Sequence, residues 1–243
     1  INNNLNKNIK KFFFKPYKGF HSIEKKRYVD ISSEYKLFGS YILPNVSNFF
    51  HNKKFINKMK KIFESSDIVL VADYGHGFLN DDLIKLINKL NVFKTLNVQI
   101  NSSNKGINNS KKYKSMSLLV INENELRLEL KEPLTKIDFL GKKLIKLNKL
   151  SNLIVTTGRS GAIFQNKNNK KINCPAFSNH AIDKIGAGDT MLALATLGLY
   201  LKMEYELVML IGSIGSAISV KSIGNKSIID CITVSRILQN MLK

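Results

Sequence analysis

Ile68-Val69-Leu70-Val71-Ala72-Asp73-Tyr74-Gly75-His76-Gly77 and, after Phe78-Leu79-Asn80, Asp81-Asp82-Leu83-Ile84-Lys85-Leu86-Ile87-Asn88-Lys89-Leu90 decide the fold class. The first stretch is a short apolar run that breaks at Asp73-Tyr74-Gly75, as a buried strand does where it leaves a sheet. The second repeats its apolar residues along one helical face, at Leu83, Ile84, Leu86, Ile87 and Leu90. The pattern recurs on both sides. Lys53 to Phe63 reads as a helix before this unit. After it come a strand over 96–100, a strand over 117–121, a helix over 123–130, a helix over 136–150 and a strand over 153–157. Strands alternating with amphipathic helices predict an α/β fold, a mainly parallel sheet covered by helices on both faces.

Beyond Gly161 the rhythm changes. Residues 162–164, 172–174 and 180–182 read as short strands of a more antiparallel kind, with 166–171 as a hairpin loop. Two long apolar helices follow, Gly188 to Leu201 and Glu204 to Val220. In the second, Gly212, Gly215, Ser216 and Ala217 suit close helix packing. Residues 1–50 form an irregular segment, with strands expected at 28–30 and 41–43, and residues 51–243 a core domain.

The chain has 243 residues and a formal charge of +20. Only Arg27, Arg127, Arg159 and Arg236 are arginines; the other basic residues are lysines, amid many asparagines. Readers of nucleic acid favour the arginine fork, so the charge is read as a surface bias and no nucleic-acid partner is expected. Cys174 and Cys231 form no spaced pair. The longest apolar run, 207–220, is too short for a span, and no membrane association is expected. The reading is a soluble, cytoplasmic protein.

In open α/β sheets, ligands bind outside the carboxyl ends of the strands. Four such ends carry polar or glycine residues: 73–77, 122–125, 156–161 and 183–189. In the last, Gly186 and Gly188 allow a tight turn whose N–H groups converge, and the following helix adds its positive end. Asp189 lies in the first helical turn, where a carboxylate can take the proton of an attacking hydroxyl. Taken alone, the same residues also fit a glycine loop with Asp capping a helix.

Asp183-Lys184-Ile185-Gly186-Ala187-Gly188-Asp189 resembles the DTxGAGD signature of the ribokinase/PfkB carbohydrate kinase family. Asn122-x-x-Glu125 is similar to its NxxE motif, Thr156-x-Gly158-x-x-Gly161 to its TxGxxG turn, and Gly224-Asn225 to a loop near the adenine. Residues 71–79 resemble the segment SDYGKGVL of the D-glycero-β-D-manno-heptose-7-phosphate kinases, often one half of bifunctional kinase/nucleotidyltransferases serving surface polysaccharides.

The resemblance implies a ribokinase-like three-layer fold with part of a small β lid over 1–50, and an ATP-dependent transfer to a sugar or sugar-phosphate hydroxyl. It implies Asp189 as base, and Gly186, Ala187 and Gly188 as anion hole. Asn122, Glu125, Thr156, Gly158, Gly161, Gly224 and Asn225 would then serve the nucleotide, with Asn122 and Glu125 holding Mg²⁺ through water or phosphate. Asp183 and the Ile185 carbonyl would bind a monovalent cation such as K⁺, completed by Ser219, Ser222 and Gly224.

Asp73 and His76 are candidates to approach substrate. Asn122 and Glu125 equally fit a capping box, and Asp183 and His76 fit ordinary turn positions. Lys184 replaces the common Thr of the signature, and Ser213 stands where relatives often carry Asn. The family's N-terminal glycine-rich substrate motif is not found, so an N-terminally truncated member is expected, with an uncovered sheet edge. A homodimer through the lid is the expected assembly. The alternative is a non-catalytic or split-subunit nucleotide-binding fragment of such a kinase.

Overall fold

The computed structural model describes residues 9–10, 12, 21–30, 32, 36–43, 53–100, 104, 107–178, 185–221 and 229–241. The chain divides into two compact units, Ile1–Asn52 and Lys53–Lys243. In the first, β1 (Glu24–Val29) and β2 (Lys36–Ile42) pair as an antiparallel hairpin. Tyr28 stacks on Phe38 with ring centroids 4.3 Å apart, a cross-strand aromatic pair of the kind that stabilises hairpins. The hairpin is of the type expected for a lid.

The second unit is a six-stranded sheet, ordered β3 (Ile68–Asp73), β4 (Phe93–Val98), β5 (Leu118–Asn122), β6 (Asn152–Thr156), β7 (Ala162–Asn166), β8 (Lys171–Cys174). The first four strands run parallel, and β7 and β8 are antiparallel. Its helices are α1 (Lys53–Glu64), α2 (Asp81–Lys89), α3 (Glu123–Leu130), α4 (Ile137–Asn148), α5 (Ala187–Tyr200), α6 (Tyr205–Ser219) and α7 (Cys231–Met241).

Strand side chains alternate between two cores. Leu119, Ile121, Leu153 and Val155 join Ile84, Ile87, Leu126, Leu140 and Leu144 on the α2–α4 face. Leu118, Val120 and Ile154 join Met191, Leu192, Ala195, Val208 and Met209 on the α5–α6 face. Each fully buried aliphatic side chain contributes roughly 1.5–3 kcal/mol, so the two faces together bind the layers. Among the described residues β3 is one edge of the sheet, where Leu70 is 44% exposed.

The glycines of α6 are packing residues. A Cβ at Gly212 would come within 2.5 Å of Met191 Sδ, and one at Gly215 within 2.2 Å of Leu194 Cδ1. No helix among the described residues is long and apolar enough to cross a membrane.

The structure departs from the sequence reading at β4 and at α7. β4 begins at Phe93 and ends at Val98, rather than running over 96–100. Its first half carries Lys94 and Thr95, both buried; polar residues there break the apolar pattern that marks a strand. Lys94 Nζ donates to the carbonyls of Ile87, Asn88 and Leu90 at 2.9–3.0 Å, satisfying the C-terminal end of α2 and meeting the negative end of its dipole. Thr95 Oγ1 accepts from Thr196 of α5 at 2.9 Å. Helix α7 was not anticipated; Asp230 opens it by accepting from Thr233 N at 2.7 Å. The strand expected at 180–182 lies outside the described residues.

Lys94→Met keeps the stem but leaves three carbonyls without their cation. Losing charged hydrogen bonds of this kind costs about 2 kcal/mol. Thermal unfolding should show a Tm lower by roughly 4–8 °C, whereas Lys89→Met at the exposed last residue of α2 should leave it unchanged.

Candidate active site

The parallel register brings the polar strand ends into one row. Asp73 pairs with Val98, Asn97 with Val120 and Asn122 with Thr156. The NxxE and TxGxxG motifs therefore end adjacent strands. Helix α5 lies across the same edge: a Cβ at Gly188 would sit 3.7 Å from Asn97 Nδ2 and, among the described residues, would meet no other atom inside 4 Å. Among the described residues, nothing requires glycine there on steric grounds.

Gly186 adopts φ +86°, and no side chain caps α5. The first helical bond runs from Thr190 N to Gly186 O at 2.9 Å. The N–H groups of Ala187, Gly188 and Asp189 thus have no acceptor within the helix, at its positive end. Ser216 Oγ of α6 lies 3.0 Å from Ala187 O and fixes this turn from behind.

Asp189 is half-buried, and burial pushes its carboxyl above the ordinary carboxylate value while a hydrogen bond from Tyr74 pulls it back in part. Tyr74 Oη donates to Asp189 Oδ2 at 3.2 Å, joining positions 115 residues apart. The Tyr74 hydroxyl is pushed up to about 12, first by burial and then by the Asp189 charge, so it remains a donor at neutral pH. Tyr74 was absent from the residues singled out in the sequence. Its position directly after a strand end, beside Asp73, was the available signal.

Asn122 and Glu125 form the capping box of α3. Asn122 Oδ1 accepts from Glu125 N at 2.9 Å, and Glu125 Oε2 accepts from Asn122 N at 3.1 Å. Glu125 Oε1 also accepts from Ile100 N at 2.9 Å, which ties the loop after β4 to α3. Burial raises the Glu125 carboxyl, the two N–H bonds oppose this, and the Glu129 charge adds to it; the net shift is upward. With Oδ1 spent on the cap, the Asn122 amide has its NH₂ group left, a donor suited to a phosphate oxygen.

Among the described residues no group of three or more His, Cys, Asp or Glu could hold a metal ion. The Asn122 amide and the Glu125 carboxylate, tied into the cap of α3, would meet a nucleotide's Mg²⁺ through water or phosphate, since Mg²⁺ usually keeps several waters and substrate phosphates. When bound, such an ion would neutralise charge on the phosphates.

Asp73 is buried and internally engaged. Oδ1 accepts from Gly75 N at 2.8 Å, and Oδ2 accepts from Tyr113 Oη at 2.8 Å and Lys112 Nζ at 2.7 Å. Its carboxylate holds the strand end together. His76 lies in the same loop, half-buried. Thr156 ends β6. A Cβ on Gly158, at φ +65°, would meet nothing within 4 Å among the described residues, whereas one on Gly161 would fall 2.0 Å from Cys174 O, so close packing on β8 explains that glycine. Ile185 is half-buried just before the turn. The Ser213 and Ser219 hydroxyls are buried without a hydrogen-bond partner among the described residues. Asp183, Lys184, Ser222, Gly224 and Asn225 lie outside the described residues.

The fold and this row of strand ends define a ribokinase-like α/β protein. Residues 40–230 match the pfkB family carbohydrate kinases, and the chain belongs to that family. It is 28% identical over 167 residues to the bifunctional protein HldE of Syntrophotalea carbinolica, covering 67% of this chain and 33% of the relative. Against HldE of Campylobacter fetus subsp. fetus it is 30% identical over 173 residues, covering 70% and 37%. The chain spans about a third of the length of these curated relatives. Among solved structures, ribokinase from Thermotoga maritima superposes with a TM-score of 0.71 at 22% identity, covering 90% of this chain and 70% of that one. At that identity the likeness describes the fold.

Glu125→Gln tests the NxxE arrangement. The side-chain amide must turn its NH₂ toward either Ile100 N–H or Asn122 N–H, setting donor against donor in a buried site. The variant should unfold with about 1–3 kcal/mol less stability in urea titration, while Asn124→Gln at the exposed neighbouring position should not.

Proposed function

We propose that the protein is an ATP-dependent carbohydrate kinase that transfers the γ-phosphoryl group of ATP to a hydroxyl of a sugar or sugar phosphate. The observation that carries this reading is the uncapped N-terminus of α5 with Asp189 in its first turn. Family membership and the ribokinase-like fold support it. The resemblance of residues 71–79 to heptose-7-phosphate kinases makes a heptose 7-phosphate the first acceptor to try, and surface polysaccharide synthesis the setting to which it points.

In this reading the acceptor hydroxyl gives its proton to Asp189 as its oxygen bonds to the γ-phosphorus. The bond from that phosphorus to the β–γ bridging oxygen breaks, and ADP leaves with the bridging oxygen. The N–H groups of Ala187, Gly188 and Asp189 receive the charge on the transferring group. The Asn122 NH₂ group donates to a phosphate oxygen. The Thr156–Gly161 turn and the 224–225 loop serve the nucleotide. Asp183 and the Ile185 carbonyl, with Ser219, are the proposed K⁺ ligands, the buried Ser219 hydroxyl being the supporting observation. A homodimer is the proposed assembly and the cytoplasm the proposed location.

Asp189→Asn should lower kcat about a thousandfold, as loss of a general base does, with ATP affinity retained in calorimetry. Wild-type turnover in this variant would remove Asp189 from its role. Its stability should move the other way. The folded carboxyl titrates above its ordinary value of 3.8, so the folded state favours the protonated form. Ionisation therefore costs stability as pH rises from about 4 through the folded value. The Asn variant should have the higher Tm at pH 7, and the difference should vanish toward pH 3.

A further inference from the structure

Tyr74 is more firmly placed than an ordinary loop tyrosine. Before it, Asp73 is anchored by Gly75 N, Tyr113 Oη and Lys112 Nζ. Tyr74's own carbonyl accepts from Asn104 Nδ2 at 2.9 Å. After it, Gly75 takes φ +69°, and a Cβ there would lie 2.5 Å from Asn104 Nδ2 and 2.8 Å from Asn108 Nδ2. The backbone is therefore clamped on both sides, while the ring projects and is 40% exposed. Its hydroxyl reaches Asp189 Oδ2, and among the described residues Asp189 Oδ1 has no hydrogen-bond partner.

We propose that Tyr74 is a positioning residue for Asp189: it holds the carboxylate by Oδ2 in one rotamer and leaves Oδ1 turned to the acceptor hydroxyl. The inference rests on the kinase reading above. A carboxylate that acts as a base must present one lone pair along a defined direction, and a donor on the other oxygen fixes that direction. The same donor favours the ionised form against burial.

Among the described residues, few other charges face Asp189 from the elements packed on α5. β5 carries no titratable side chain. The one on β4 is Lys94, which is turned to the α2 carbonyls. On α6 they are Tyr205 and Glu206, at the start of that helix and so against the far end of α5, where Gly198 meets Val208; Glu206 is paired with Lys170. On β3 it is Asp73, bound to Lys112 and Tyr113, and His76 follows in the loop. Tyr74 is the direct partner.

The test compares wild type with Tyr74→Phe. The Asp189 carboxyl is followed by carbon NMR of labelled aspartate, assigned with Asp189→Asn, a measurement that needs no turnover. Removing the donor should raise the carboxyl titration by at least half a unit. In steady-state assays with ATP and sugar phosphates, kcat should fall roughly tenfold with KM for ATP unchanged, and the acid limb should move to higher pH. The reciprocal measurement is the Tyr74 phenol, which should titrate lower in Asp189→Asn and keeps the test open if the Phe variant folds poorly. An Asp189 titration unchanged by Tyr74→Phe, or a kcat within twofold of wild type, overturns the proposal. A wild type that turns over no acceptor counts against the kinase reading alone, and the two titrations then decide the Tyr74 contact by themselves.

Discussion

Helix α5 has to lie across the sheet with its uncapped N-terminus over the carboxyl ends of the strands, and most of the second unit is arranged around that demand. The first N–H groups of a helix have no acceptor within it and are unfavourable unless another group, water or a ligand meets them, which suits an N-terminus that faces outward. The rest of the helix must be buried to hold it there. Thr196 hydrogen-bonds Thr95 in mid-helix, Tyr200 meets Phe93 edge-on at 5.7 Å near its end, and Ser216 bonds the Ala187 carbonyl at its start. Gly212 and Gly215 let α6 approach closely enough to lock α5 along this length. Because packed interiors deform little, a shift of α5 on the sheet would move the Gly186–Gly188 turn relative to the strand ends.

The opposite face solves a different problem. Segments between parallel strands carry polar backbone into partly buried space, and every such group needs a partner. The structure supplies them from a few charged or amide side chains. Lys94 closes the end of α2, Asp73 closes the end of β3, and Glu125 joins the loop after β4 to the start of α3. Glu129 accepts from Ser110 N and Oγ, and Asn148 donates to Ser110 as well. Polar residues of this kind set loop geometry at the edge where the strand-end motifs meet. They also explain why a motif residue can have two uses: Glu125 completes a helix cap and, through it, presents the Asn122 amide.

What could be read from the sequence followed the same physics. The parallel units were legible because strands β3, β5 and β6 are continuous apolar runs with polar ends, and α2 and α3 show clean periodicity or caps. The antiparallel turn of the sheet after Gly161 was legible from short strands flanking the 166–171 loop. The start of β4 was not, because Lys94 and Thr95 look exposed until α2 and α5 are in place to receive them. Asp73 looked like a candidate for substrate because it sits at a strand end; Tyr113 and Lys112, about forty residues away, are what occupy it. Tyr74 was hidden for a related reason. A tyrosine gains meaning only when the strand end it follows is brought against Asp189, and that proximity is a property of tertiary structure.

Asp189 itself shows three influences in balance. Burial disfavours its charge, and the Tyr74 hydroxyl favours it. The N-terminal position on α5 favours it too, because the helix dipole stabilises an anion in the first turn. For the proposed role as base, a carboxylate left fully to water would hold a proton too weakly to accept one usefully from an alcohol, and one fully buried without a donor would be neutral beforehand. The half-buried site with the Tyr74 donor lies between these limits. The donor also has to stay a donor: a phenol beside a carboxylate cannot ionise easily, because each charge opposes the other, and the upward shift of Tyr74 is the same interaction seen from its other side. A threonine or serine at position 74 would be too short to span from the clamped loop to the helix, and a lysine would bring a charge that holds the carboxylate too strongly ionised. The phenol is long, rigid and neutral, which is the combination this arrangement of strand end and helix start calls for.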